Sequence, residues 1–235
     1  MPRFTRKITA KKYHTSKLLF LACALLSIFS ALCHAEKTTF TLPGITEPVM
    51  ATHNTSPPSI NNNSFTLTAI KGTDLYTTSS GEKKADNVPR LLFEAKSDFI
   101  LSAKVTSQFG ADYDGGGLLV YAGENQWAKL LIEQVPNKTL LVSSSVTNTK
   151  GDGAYHAVIN QPYIYLKIVR LTNRYFFYSS LNGKDWQILR DFALGENEST
   201  KVGFYNQTPI GEKIETLFSE ISFRETTIKN YWQGE

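Results

Sequence analysis

The chain has 235 residues, of which 25 are basic and 21 acidic, and its formal net charge is +4. Six of the basic residues and none of the acidic ones lie within residues 1–17, so the rest of the chain carries 19 basic against 21 acidic side chains. The apparent basicity therefore belongs to the first residues and does not indicate a nucleic acid or an anionic membrane as a partner.

Residues 1–35 have the composition of a secretory signal peptide. The basic start is followed by an unbroken run of apolar and small residues, 18–32, and then by Cys33-His34-Ala35. This arrangement is typical of a cleaved export signal. The run has 15 residues, whereas a membrane-spanning helix needs about 20. We therefore expect cleavage after Ala35, a periplasmic or secreted protein, and no membrane attachment afterwards; an uncleaved anchor is the alternative.

Both cysteines, Cys23 and Cys33, lie within this leader. The chain after residue 35 therefore has no disulfide and no thiol chemistry. It depends on its hydrophobic core alone, and about 200 residues are enough to form one large core.

From residue 36 onward the chain reads as β-structure throughout. A short strand within Thr38–Leu42 is followed by a loop rich in Asn, Ser and Pro, which together form an N-terminal segment, 36–63. The main body, 64–226, is a series of short segments dominated by Val, Ile, Thr, Tyr and Phe, and 227–235 is a C-terminal tail that could be a frayed end or an edge strand. The predicted strands of the main body are Ser64–Ile70, Arg90–Ala95, Phe99–Gln108, Gly117–Ala122, Trp127–Gln134, Thr139–Thr147, Tyr163–Leu171, Tyr175–Ser180, Trp186–Phe192, Lys201–Asn206 and Thr216–Glu225.

Repeated short strands of this kind predict one all-β domain, a sandwich or a barrel. Asn182-Gly183 lies between two of the runs and is a strong hairpin signal. No window longer than about ten residues keeps a helical period.

The two neighbouring strands at 127–134 and 139–147 each have one apolar and one polar face. Alternate residues of a strand point to opposite faces. The predicted core-facing side chains are Ala128, Leu130, Ile132, Leu140, Val142 and Val146. The other face carries Trp127, Lys129, Leu131 and Glu133 on the first strand, and Leu141, Ser143, Ser145 and Thr147 on the second.

This second face suggests a glycan-binding surface. A tryptophan ring stacks on the C–H face of a sugar, and lysine, carboxylate and hydroxyl groups exchange hydrogen bonds with sugar hydroxyls. We expect Trp127 to be the stacking platform and Lys129, Glu133 and Ser145 to make hydrogen bonds. The alternative is an ordinary solvated face, because antiparallel sheets are often polar on one side.

Five motifs in order carry a resemblance to a known family. They are Tyr-Asp-x-x-Gly-Leu-Leu-Val at 113–120, Trp-x-Lys-x-x-x-Glu at 127–133, Val-x-x-Ser-Val-Thr at 142–147, Tyr-Leu-Lys-Ile-Val-Arg at 165–170 and Tyr-Ser-Ser-Leu-Asn-Gly-Lys-Asp-Trp at 178–186. Together they resemble the concanavalin A-like jelly-roll family of unknown function that includes the regulation-of-enolase proteins. The resemblance runs from about residue 72 to residue 223.

The resemblance implies a two-sheet antiparallel jelly roll related to lectin-like domains, and sugar binding as the expected function. Members carry a Ser-Asp-Trp-Ser type segment, and the corresponding residues here are Lys150-Gly151-Asp152-Gly153-Ala154. The aspartate is present and the tryptophan is not. Either the contact of that tryptophan is lost or Tyr155 supplies it, and we expect Tyr155 and His156 to close the rim of the site.

Metal and catalytic signals are weaker. Asp112 and Asp114 precede three glycines and Asp152 lies between two, so a Ca²⁺ site is one interpretation and acidic turns are the other. Glycoside hydrolysis needs two facing carboxylates, and the Glu-x-Asp-x-x-Glu pattern of catalytic jelly rolls is absent. The sequence therefore favours a non-catalytic glycan- or glycoconjugate-binding protein. The alternatives are a glycoside-active enzyme centred on Glu133, and a structural or protein-interaction module of the cell envelope.

Overall fold

The computed structural model describes residues 38–52, 55–195 and 200–235. The predicted signal peptide lies outside these residues. No helix within the described ranges is long and apolar enough to cross a membrane. The described chain forms seventeen strands, and a single short 3₁₀ turn, Pro136–Lys138, lies between two of them.

In chain order the strands are β1 (Thr39–Phe40), β2 (Val49–Thr52), β3 (Ser59–Asn61), β4 (Ser64–Ile70), β5 (Leu75–Thr77), β6 (Lys84–Asp86), β7 (Arg90–Glu94), β8 (Phe99–Ser107), β9 (Gly115–Gly123), β10 (Gln126–Val135), β11 (Thr139–Asn148), β12 (Lys150–Ile159), β13 (Tyr163–Leu171), β14 (Arg174–Ser180), β15 (Gln187–Ala193), β16 (Lys201–Gln207) and β17 (Lys213–Glu225).

The strands form two large antiparallel sheets that pack face to face. The first sheet has the order β1-β2-β7-β16-β9-β10-β11-β12, and the second has the order β15-β14-β13-β8-β17-β4-β3. A small third sheet is the β5–β6 hairpin. The fold is the two-sheet antiparallel jelly-roll sandwich that the sequence predicted.

The main core lies between the two sheets. Phe65 of the second sheet and Phe204 of the first meet edge to face with their ring centroids 5.0 Å apart, and Phe218 stacks on Phe65 at the same distance. Aromatic pairs in these geometries add to the gain from burial alone. The predicted core faces of β10 and β11 are confirmed, because Ala128, Leu130, Ile132, Val142 and Val146 belong to this cluster and Leu140 packs against it.

Each sheet also carries a smaller apolar cluster on its outer face, under a segment that belongs to neither sheet. The β5–β6 hairpin covers part of the first sheet, where Leu75 and Val88 pack with residues of β7, β9, β10 and β16. Residues 228–235 cover part of the second sheet, where Ile228 and Tyr231 pack with residues of β8, β13 and β14. The predicted tail is therefore neither a frayed end nor an edge strand.

Every predicted strand is present, and the predicted hairpin at Asn182-Gly183 joins β14 to β15. Five strands escaped prediction: β2, β3, β5, β6 and β12. The last of these is the longest, and it contains Asp152 and its two flanking glycines, where the sequence suggested an acidic turn. Gly151 has a structural reason, because a Cβ there would lie 1.9 Å from the carbonyl oxygen of Thr77 in the hairpin above.

Candidate functional site

A cleft of about 480 Å³ opens on the outer face of the first sheet. Its lining comes from β10, β11, β12 and the end of β16, from the β5–β6 hairpin with the residue before it, and from residues that precede β9 and follow β16. Ligand sites of proteins commonly have volumes of about 300–1,000 Å³. The cleft therefore has room for a small ligand or for a few units of a longer chain.

The register of β10, β11 and β12 brings the predicted polar side chains together. Lys129 lies opposite Ser145, and Ser145 lies opposite Gly153. One step along, Ser143 lies opposite Tyr155. All five of these residues line the cleft.

Lys129 is held in a fixed position in this lining. Its side chain is buried, and Nζ donates to the carbonyl oxygen of Leu75 at 2.6 Å and to Oε1 of Gln207 at 2.9 Å. Burial lowers the pKa of Lys129, while the charges of Asp74 and Glu133 act in the opposite direction. The ammonium group thus has protein acceptors for two of its three protons.

Asp74 is a cleft residue that the site prediction missed. It follows the bridge between Thr73 and Thr208, and its N–H donates to Oδ1 of Asn87 at 2.8 Å. Burial raises the pKa of Asp74, and the neighbouring charge of Lys129 works against that increase. The sequence signal was only its place at the start of the family resemblance, because the strand contacts that bring it to β10 are not local.

Glu133 lies in the cleft as predicted, and Ser143 donates to its Oε1 at 2.5 Å. Charge-assisted bonds of this kind are short and orient the carboxylate. The cleft therefore contains two carboxylates and one ammonium group, contributed by different parts of the chain.

Three tyrosines with exposed side chains line the cleft. Tyr76, Tyr113 and Tyr155 have exposed fractions of 46, 45 and 75 %. Tyr113 adopts a left-handed backbone conformation with φ of +67°, which is uncommon for a bulky residue. Its N–H donates to the carbonyl oxygen of Gln134 at 2.6 Å, and its own carbonyl oxygen accepts from Nε2 of Gln207 at 3.2 Å.

The prediction that Trp127 forms an exposed stacking platform is wrong. Trp127 points to the predicted outer face, but it is fully buried in the cluster under the β5–β6 hairpin. Its neighbours there include Leu75, Val88 and Leu92. The alternation of β10 gave the correct face, and the hairpin that covers this face comes from a distant part of the sequence.

His156 does not close the rim of the cleft. The register of β11 and β12 shifts next to it, and its Nε2 lies 2.8 Å from Oγ of Ser144. Ser144 lies opposite Leu130 of the main core, so this contact is on the inner side of the sheet. Burial lowers the pKa of His156, and the charge of Arg190 adds to the effect.

Two of the three aspartates suggested as metal ligands, Asp114 and Asp152, have protein partners. Asp114 is fully buried; its Oδ2 accepts from the N–H groups of Gly110 and Ala111 at 2.9 Å each, and its Oδ1 accepts from Thr208 at 2.6 Å. Asp152 forms an ion pair with Arg190. Asp112 lies in the bend before β9. Within residues 38–52, 55–195 and 200–235 no three His, Cys, Asp or Glu side chains group in a way that could hold a metal ion.

Comparison with known proteins gives a family and a fold. Residues 53–226 match the family described as "Protein of unknown function (DUF1349)". No curated protein matches the chain significantly. A functionally unknown protein from Saccharomyces cerevisiae superposes with a TM-score of 0.70 at 22 % identity, covering 77 % of this chain and 97 % of its own.

Two larger proteins share the fold at lower similarity. The GH43 BlXynB protein from Bacillus licheniformis has a TM-score of 0.52 at 15 % identity, and xylan beta-1,4-xylosidase from Bacillus halodurans has a TM-score of 0.53 at 13 % identity. The matches cover 69 % and 72 % of this chain but only 33 % and 38 % of those proteins. Likeness at these identities concerns the fold alone.

Proposed function

This chain belongs to the DUF1349 family of proteins of unknown function, and we propose that it is an exported protein that binds a glycan in the cleft without catalysing a reaction. The observation that carries the proposal is the combination of three exposed tyrosines with a polar floor, all lining one cleft. Export rests on the sequence of residues 1–35.

The arrangement suits a sugar chain because sugars have both apolar C–H faces and hydroxyl groups. Aromatic side chains offer a large, rigid apolar surface with a polar tip, so Tyr76, Tyr113 and Tyr155 suit the C–H faces. Glu133 and Ser145 are placed to exchange hydrogen bonds with the hydroxyls. The strained backbone of Tyr113 fits this role, because such conformations occur often at ligand clamps.

The floor supports a ligand site better than an ordinary solvated face. Lys129 is among the buried polar residues, yet it lines a cleft. Burying a charged group has a high cost in free energy unless it is paired. Here the β5–β6 hairpin supplies an acceptor for the buried lysine, and two partly buried carboxylates, Asp74 and Glu133, lie beside it in an open cleft.

The proposal is tested with a glycan array that includes xylan, arabinan, glucan and host-type glycans. We expect the purified wild type to be retained on at least one neutral glycan, and Tyr155→Ala and Tyr76→Ala to weaken retention by about tenfold, the effect of about 1.4 kcal/mol. Trp232→Ala is the matched control, since Trp232 is an exposed aromatic residue (68 %) that does not line the cleft. Absence of retention on every glycan, or equal retention of the tyrosine variants, would contradict the proposal.

Hydrolysis is the second candidate, and one specific observation favours it. Asp74 and Glu133 line the same cleft, and burial raises the pKa of Asp74, as expected for a general acid. Retaining and inverting glycosidases both use such a carboxylate pair. Release of reducing sugar from the retained glycan, lost in Asp74→Asn and in Glu133→Gln, would replace the binding proposal with this one.

The third alternative, a structural module without a small ligand, predicts a flat outer face that is covered by the loop at 43–63. Residues within that stretch instead contribute β2, which lies next to the edge strand β1 of the first sheet, and β3, which is an edge strand of the second. The cover on the first sheet is the β5–β6 hairpin, and it leaves the cleft open.

A further inference from the structure

The charged groups in the cleft have an uneven balance. Among its lining residues the one cation is Lys129, and the two carboxylates are Asp74 and Glu133. With all three ionised, the described lining carries one net negative charge. A ligand that enters the cleft therefore meets more negative than positive charge.

The cation has little capacity left for a ligand. Lys129 donates to the Leu75 carbonyl and to Oε1 of Gln207, and only 7 % of the residue is exposed. Gln207 is itself fixed, because its Nε2 donates to the carbonyl oxygen of Tyr113. Its amide orientation therefore keeps Oε1 available for the lysine. The remaining charge of the ammonium group faces Asp74 and Glu133.

Glu133, in contrast, has capacity to accept further hydrogen bonds. Glu133 receives a bond from Ser143 at Oε1, and within the described residues no other side chain donates to it. An ionised carboxylate can accept several hydrogen bonds and donates none. Sugar hydroxyls satisfy such oxygens, whereas a carboxylate or sulfate on the ligand brings only further acceptors and negative charge.

We propose that the cleft selects uncharged, hydroxyl-rich glycans and rejects glycans that carry carboxylate or sulfate groups. This rule rests on the proposed glycan-binding function and specifies its ligand class. Lys129 then serves as an internal counter-charge that holds the two carboxylates in place. It does not act as a receptor for an anionic sugar.

The test compares two ligands that differ only in charge. In the neutral glycan retained by the wild type, a primary CH₂OH is oxidised to COO⁻ (xylan, which has no primary hydroxyl, is carboxymethylated instead), and the dissociation constants of the neutral and the oxidised form are measured by calorimetry. We expect the oxidised form to bind at least about tenfold more weakly, because like charges repel strongly in a partly desolvated site. Raising the ionic strength should reduce this ratio, since salt screens the repulsion.

Two variants locate the source of the discrimination. Glu133→Gln should reduce the ratio at least about threefold, because it removes one of the two repelling charges. Glu220→Gln removes the same charge on the second sheet, where Glu220 pairs with Lys104, and should leave the ratio unchanged.

Equal or tighter binding of the oxidised form, or a ratio that Glu133→Gln does not change, would overturn the charge rule while leaving glycan binding intact. Failure of the wild type to retain any glycan would overturn the proposed function itself.

Discussion

The outer faces of the two sheets each contain a buried lysine under a covering segment. On the first sheet Lys129 of β10 donates to Leu75 of the β5–β6 hairpin and to Gln207. On the second sheet Lys167 of β13 donates to the carbonyl oxygens of Gln233 and Gly234 at 3.0 and 3.2 Å. In both places backbone carbonyl groups satisfy an ammonium group that would otherwise be buried at a high cost in free energy.

The two covers differ in what they leave open. Residues 228–235 lie directly on the second sheet: the hydroxyl of Tyr178 donates to the Tyr231 carbonyl at 2.8 Å, and Nζ of Lys167 lies 4.0 Å from the centroid of the Trp186 ring. The hairpin on the first sheet covers Trp127 but leaves the cleft beside it. A buried lysine therefore marks the place where a cover docks, and it marks a candidate ligand site only where the cover leaves space.

Replacing the fully buried tryptophan of the first sheet should give the largest effect, and the tryptophan of the second sheet serves for comparison. Trp127 is fully buried, so Trp127→Ala should lower the free energy of unfolding by about 4 kcal/mol. Trp186 is 8 % exposed at the edge of the smaller outer cluster, and Trp186→Ala should cost about 2 kcal/mol. Urea denaturation measures both. An unchanged urea midpoint for Trp127→Ala would contradict the burial of Trp127 and would make it a candidate for ligand contact again.

Replacing each buried lysine by methionine should lower the free energy of unfolding by different amounts on the two faces. Lys129→Met leaves Asp74 and Glu133 without their counter-charge, and we expect a loss of about 3 kcal/mol in the free energy of unfolding. Lys167→Met leaves only backbone carbonyls and Glu235, whose side chain is 58 % exposed, so the change should stay within about 1 kcal/mol. Equal losses of unfolding free energy in the two variants would contradict the different electrostatic roles assigned to the two lysines.

The pH dependence of stability should report on Lys167. Burial lowers the pKa of Lys167 to about 8, against an ordinary value of 10.5, while Glu235 acts in the opposite direction and Arg224 in the same one. As the pH rises from about 8 to about 10, the folded chain releases a proton that the unfolded chain retains, so stability increases across this window.

Urea denaturation of the wild type should show this increase, on the order of 1 kcal/mol, and Lys167→Met should lack it. The series stops near pH 10 because tyrosines of the unfolded chain titrate there, whereas burial raises the pKa of Tyr178 in the folded chain. A fall in wild-type stability across this pH window would show instead that folding raises the pKa of Lys167.

The sequence predicted those features that follow from the alternation of apolar and polar residues along a strand. The faces of β10 and β11 follow from a period of two, and these strands place Lys129, Glu133 and Ser145 on the face where the cleft lies. The position of Trp127 relative to solvent did not follow, because the covering strands β5 and β6 have three residues each and dock through contacts with distant strands.

Two further features of the site required the structure. β12 contains Gly151 and Gly153, residues that favour turns, and its strand conformation is fixed by pairing with β11 along its whole length. Asp74 reaches the cleft through the bridge between Thr73 and Thr208, which are 135 residues apart in the sequence. Neither the strand conformation of β12 nor the position of Asp74 produces a periodic pattern in the sequence.

The most direct test of the account fills the cleft without disturbing the fold. A Cβ built on Gly153 has no heavy atom within 4 Å, and Gly153 lines the cleft on the face of Ser145. Gly153→Leu should therefore fold with unchanged or slightly higher stability, because glycine destabilises strand interiors. Val158→Leu is the control on the same strand, since Val158 is 65 % exposed and does not line this cleft.

The decisive measurement is the affinity of the purified Gly153→Leu protein for the neutral glycan that the wild type retains. We predict that binding falls at least about tenfold while the thermal midpoint is maintained, because the leucine occupies the space of the ligand. Wild-type affinity in a folded Gly153→Leu protein would contradict the assignment of the cleft as the glycan site.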